Sequence, residues 1–85
     1  MNITVRFFIF DLPPNFKHAE FELDDGATVD DVLDKCLEEF KQRQVNMDEN
    51  ELRTSTIVVD GRWLSQGDSV SDGDTINIIR PMDGG

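Results

Sequence analysis

The sequence predicts an α+β domain, a mixed sheet of four to five strands with one helix packed across one face. Three observations predict it. Apolar and polar residues alternate with period two near both ends of the chain, the signature of half-buried strands. One stretch between them repeats its apolar residues at helical spacing. The length, 85 residues with 38% hydrophobic and 31% charged side chains, suits a single small core.

The first strand places Ile3, Val5, Phe7 and Ile9 on one face and Thr4, Arg6, Phe8 and Phe10 on the other. Asp11-Leu12-Pro13-Pro14-Asn15 ends it, because proline lacks the ladder donor and keeps its predecessor out of helical angles. His18 reads as a loop residue ahead of a second strand, Ala19–Leu23, whose glutamates face water and which should pair with the first strand as an antiparallel hairpin. Asp24-Asp25-Gly26 turns the chain. Thr28 then offers a hydroxyl N-cap, with Asp30 and Asp31 in the positively polarised first turn. Val29, Val32, Leu33, Cys36, Leu37 and Phe40 form one apolar stripe, so the helix should run from Val29 to about Arg43.

The acidic, polar stretch Gln44 to Arg53 is the one strong shift in composition, and no element is placed between the helix and the next strand. Ile57-Val58-Val59 reads as a buried strand, Asp60-Gly61 as a tight turn, Arg62-Trp63-Leu64 as a short strand and Thr75–Ile79 as the last strand. Trp63 is expected to support the edge of the core. A lone helix between two hairpin-like pairs buries its stripe only by lying across one sheet face, with the first and last strands as parallel central neighbours. That layout is a β-grasp, comprising residues 1–80 and followed by a tail, 81–85. Its outer face would carry Phe8, Phe10 and Ile79, which points to a partner surface or, for Phe8 and Phe10, to local packing under the Pro13-Pro14 loop.

Composition excludes most chemistry. With 18 acidic against 8 basic residues and a net charge of −10, the chain repels a phosphate backbone, and no apolar run reaches the ~18 residues of a membrane span. One histidine, one cysteine and no tyrosine leave no nucleophile-base-orienter set, so the domain is not expected to be an enzyme. His18 has no second ligand at metal spacing, and Asp24, Asp25, Asp68, Asp72 and Asp74 lack calcium-loop spacing and read as turn and cap residues; no bound metal or cofactor is expected. Cys36, inside the apolar stripe, reads as core filler rather than a sulfur carrier. The N-terminus alternates instead of forming a signal peptide, so a cytoplasmic protein, monomeric when free, is the expectation.

The sequence closes on Arg80-Pro81-Met82-Asp83-Gly84-Gly85. Proline stiffens the exit from the sheet, and paired glycines make a thin end able to thread a narrow channel with its carboxylate leading. Together with the order of elements, Val59-Asp60-Gly61 and the run Val70-Ser71-Asp72-Gly73-Asp74-Thr75-Ile76, this end resembles the ThiS/MoaD family of ubiquitin-like sulfur carrier proteins over essentially the whole chain.

The resemblance implies that the Gly85 carboxylate, with Gly84 beside it, is adenylated by a ubiquitin-activating-like enzyme that uses ATP and Mg²⁺. Sulfur from a persulfide donor protein would then replace AMP, and the thiocarboxylate would pass to a sulfur-accepting synthase of thiamin or molybdopterin type. Phe8, Phe10, Ile79, Pro81, Met82 and Asp83 are the residues expected to meet partners. Asp83 replaces the small residue that the molybdopterin synthase subunit usually has before its glycines, and is the candidate for partner discrimination. Two alternatives stay open: a ubiquitin-like modifier joined through Gly85 to lysines, and a non-covalent β-grasp subunit. The charge of −10 would steer any of these toward a basic docking face.

Overall fold

The structure, a computed structural model, describes residues 1–8, 12 and 17–80. It contains β1 (Asn2–Phe8), β2 (His18–Glu22), α1 (Val29–Gln42), α2 (Glu49–Arg53), β3 (Thr56–Val59), β4 (Arg62–Leu64) and β5 (Thr75–Ile79). The strands form one sheet in the order β2-β1-β5-β3-β4, with β1 and β5 parallel and the other pairs antiparallel. This is the predicted β-grasp, with the first and last strands as inner neighbours. His18 is not a loop residue but the first of β2, where it registers with Arg6.

The helix forms where its stripe and caps agree. Thr28 Oγ1 accepts from the Asp31 amide at 3.4 Å while Asp31 Oδ2 accepts from the Thr28 amide at 2.9 Å, a reciprocal capping box. At the other end Val45 N donates to Phe40 O at 2.8 Å and Gln44 N to Lys41 O at 3.1 Å, a Schellman closure with Gln44 at φ 57° where glycine is more usual. Val29, Val32, Leu33, Cys36 and Phe40 are buried against Ile3, Val5, Phe7, Ile57, Val59, Ile76 and Ile78 from the sheet. Phe7 and Phe40 meet with ring centroids 5.2 Å apart, tilted by 56°. No described polar or charged residue is buried, so the core is held by apolar packing, and each fully buried large side chain contributes about 1.5–3 kcal/mol.

The aspartate run before β5 is scaffolding. Asp68 Oδ2 accepts from Ser65 N at 2.7 Å, Asp74 Oδ2 from Ser71 N at 2.8 Å and Asp72 Oδ1 from Asn2 N at 2.7 Å. The Thr4 amide donates to Asp74 O at 3.0 Å, so the same run sets β5 alongside β1. These are the turn and cap roles the sequence assigns to them.

The second helix was not expected. Asp48 caps it by accepting from Asn50 N at 2.9 Å, and Leu52 anchors it with no exposed surface. Arg53 then ties it to α1: its guanidinium meets Asp30 at 2.6 Å, Asp34 at 2.5 Å and Glu49 at 2.9 Å. The hydrogen bond to Asp34, then that to Glu49, holds Arg53 still more firmly protonated than usual. No helix among the described residues is long and apolar enough to cross a membrane.

Candidate functional site

The outer face of the sheet carries the least expected surface of a small acidic domain. Strand alternation turns Thr4, Arg6 and Phe8 of β1, Val58 of β3 and Asn77 and Ile79 of β5 away from the helix. Register lines them up: Val58 is opposite Asn77, Asn77 beside Arg6, and Ile79 between Thr56 and Phe8. Phe8, Val58, Asn77 and Ile79 line a shallow, open depression of about 470 Å³. The Arg6 guanidinium lies 5.4 Å from the Phe8 ring centroid, and Asn77 Nδ2 donates to Val58 O at 3.2 Å, so the one amide in the depression is turned to the backbone.

Trp63 extends this face instead of supporting the core: it is 81% exposed. The reason is the turn. Asp60 and Gly61 have φ of 51° and 76°, a two-residue connection of the type that pairs Val59 with Arg62 and therefore Val58 with Trp63. Ile57 and Val59 point inward, so Val58 and Trp63 point outward together. Counting register across Asp60-Gly61 would have placed Trp63 on the outer face from sequence, and Val58 and Asn77 with it.

Phe8 and Ile79, predicted for this surface, are where the sequence placed them, 37% exposed and half-buried respectively. Phe10, Pro81, Met82, Asp83, Gly84 and Gly85 lie outside the described residues. The last described residue, Arg80, leaves β5 with its amide donating to Phe8 O at 3.2 Å and its Nε 2.8 Å from Glu51 Oε1. Arg80 therefore lies beside Phe8 and next to Ile79, at the border of the apolar depression.

Carboxylates gather elsewhere. Asp24, Asp25, Asp31, Asp34 and Glu38 line an open groove of about 400 Å³ between α1 and the turn before it, and Glu20, Glu22, Glu38 and Glu39 line a smaller one beside β2. These two grooves gather eight carboxylates on the helix side and the β2 edge, while the depression around Ile79 has no carboxylate in its lining. No group of three or more potential metal ligands occurs among the described residues. Cys36 is fully buried, and that burial, with Glu39 nearby, pushes its thiol up and keeps it from forming a reactive thiolate. The described surface offers apolar contact beside Arg80.

A sequence model described as the ThiS family matches residues 9–85. No curated protein matches the chain significantly. Among solved structures, SAMP1 of Haloferax volcanii, a small archaeal modifier protein, is 23% identical with 100% of both chains covered and a TM-score of 0.72. A provisionally designated molybdopterin converting factor subunit 1 from Pyrococcus furiosus is 24% identical, covering 95% of this chain and 98% of its own, at a TM-score of 0.71. A chain in the complex of subunits 1 and 2 of the Helicobacter pylori molybdopterin-converting factor is 19% identical, with 100% of both chains covered and a TM-score of 0.55. At these identities the structural likeness establishes the ubiquitin-like β-grasp fold.

Proposed function

The chain belongs to the ThiS family, and from that membership we propose that it is a sulfur carrier whose reacting group is the carboxylate of Gly85. The observation that carries this reading is the extent of the family match, which reaches through the Gly84-Gly85 pair to the last residue of the sequence. A carboxylate is a poor electrophile, so a partner enzyme first activates it: the Gly85 oxygen attacks the α-phosphorus of ATP and pyrophosphate leaves. The terminal sulfur of a persulfide then displaces AMP from the acyl carbon. A thiol cleaves the resulting acyl disulfide, leaving the thiocarboxylate on Gly85 and a disulfide on the donor. ATP and Mg²⁺ belong to the enzyme, and the setting is the cytoplasm, where nucleotide and persulfide donors occur.

The carrier contributes reach and recognition. The depression formed by Phe8, Val58, Asn77 and Ile79 and the neighbouring Trp63 supply an apolar contact beside the root of the tail, consistent with docking that delivers Gly85 to an active site. Phe8→Ala and Trp63→Ala are each expected to weaken binding to the adenylating enzyme about tenfold. Trp63→Ala should change stability by no more than about 0.5 kcal/mol, because so little of the side chain is buried. Titration calorimetry alongside thermal melting separates the two effects, and a large stability loss would return Trp63 to the core.

The sulfur acceptor is a synthase of thiamin or molybdopterin type. Likeness to the Helicobacter pylori complex, in which two subunits of a molybdopterin-converting factor associate, favours the second. Likeness to SAMP1 favours a different fate of the same adenylate, an isopeptide bond between Gly85 and a lysine. Intact mass spectrometry of the protein co-produced with its adenylating enzyme tests both. A gain equal to replacing one oxygen by sulfur, confined to the terminal peptide, supports the carrier. Glycine remnants on lysines of other proteins support the modifier, and neither signal defeats both.

A further inference from the structure

Arg80 is where β5 gives way to the tail, and three constraints meet on it. Its amide continues the ladder to β1 by donating to Phe8 O at 3.2 Å, and its Nε is held 2.8 Å from Glu51 Oε1. It also precedes Pro81, which keeps its backbone extended. The Glu51 carboxylate comes from a helix that is itself fixed: Leu52 anchors α2 in the core, and Arg53 fastens it to Asp30 and Asp34 of α1. A side chain on an anchored element therefore grips the residue from which the Gly-Gly end departs.

We propose that Glu51 is a positioning residue for the chemistry at Gly85: by holding Arg80 against α2 it sets the direction in which the tail leaves the sheet. The proposal rests on the sulfur-carrier reading. A partner enzyme must select the tail orientations that fit its channel, and the apparent affinity falls with the fraction of free carrier already in a competent orientation. The Glu51 side chain is 32% exposed and that of Arg80 50%, so the pair is a partly screened one whose bias is worth a few-fold.

Glu51→Gln keeps the shape and removes the charge. In the free protein the heteronuclear NOE of the Arg80 amide is expected to fall. In adenylation by the cognate enzyme the KM for the carrier should rise about threefold with kcat unchanged, because the ordering is needed before binding and not during the chemical step. The charge-swapped double variant Glu51→Arg/Arg80→Glu should restore both readouts, and Arg80→Glu alone should not. An unchanged Arg80 amide in Glu51→Gln overturns the proposal. So does a double variant whose amide order returns while its KM stays as high as that of Arg80→Glu, since the enzyme would then be reading Arg80 directly. If the wild-type chain is not adenylated at all, the carrier reading fails and takes with it the role of Glu51 in that reaction. The amide measurement needs no enzyme and decides separately whether Glu51 fixes the tail root.

Discussion

Removal of Gly85 is expected to lower adenylation and sulfur loading by more than about a hundredfold while leaving the melting temperature unchanged. The size of the effect follows from geometry. Each residue of an extended chain spans about 3.3–3.6 Å, so the variant presents its carboxylate, now on Gly84, short of the α-phosphorus by roughly that distance. A misplacement of about 1 Å between reacting groups already costs on the order of a hundredfold in rate. Stability is spared because glycine has no side chain to bury, and the described core consists of residues on β1 to β5 and the two helices with the segments between them. The measurement is single-turnover pyrophosphate release with the cognate adenylating enzyme, beside a thermal melt. A variant that loads sulfur at the wild-type rate would show that the reach of the terminal carboxylate does not limit the reaction, whereas a wild-type chain that is never adenylated and loses no function on removal of Gly85 would leave the non-covalent β-grasp subunit as the surviving reading. Loss of activity together with a lowered melting temperature would make the result a folding defect and would call for Gly85→Ala, which retains the reach, as the deciding variant.

The elements legible in the sequence are those in which one physical signal dominates several residues. Ile3, Val5 and Phe7 alternate, the stripe from Val29 to Phe40 repeats at helical spacing, and Thr75–Ile79 alternates again; over the described residues, which exclude Ile9 and Phe10 of the predicted first strand, each matches the structure to within a residue or two. Asp60-Gly61 specifies its turn because both residues must take positive φ, which these two tolerate better than most. What escaped was carried by single residues. The α2 helix spans five residues, too few for a period, and its one anchor, Leu52, stands alone among charged neighbours. The Asp48 cap and the acidic first turn were present but compete with an ordinary polar loop as an explanation. Trp63 was misplaced because its size suggested burial, whereas register across a two-residue turn decides which face it takes. The candidate site divides the same way. Phe8 and Ile79 follow from alternation, but the grip of Glu51 on Arg80 joins two distant segments through a helix that periodicity could not reveal.

That helix makes the second large prediction. Leu52→Ala is expected to destabilise the protein by about 2–5 kcal/mol, the cost of removing a fully buried leucine and leaving a cavity that its neighbours only partly fill. For a chain of 85 residues, total stability is on the order of 4–13 kcal/mol, so this one substitution removes about a sixth of it at the least and lowers the melting temperature by about 8–40 °C. A five-residue helix cannot hold itself together by its own hydrogen bonds, and the ion pairs of Arg53, partly open to solvent, add about 1 kcal/mol or less apiece. Leu52 is therefore what fastens α2 to the domain. Urea unfolding of Leu52→Ala, with the m-value compared to wild type, checks the claim. A loss under about 0.5 kcal/mol would mean that α2 frays without consequence and that the tail root has no anchored partner in Glu51. If the loss is large and the m-value is retained, the helix belongs to the cooperative core. The Arg80 amide in the same variant, measured well below its transition, should then lose order as it does in Glu51→Gln, because a carboxylate on a loosened helix can no longer hold the guanidinium in place.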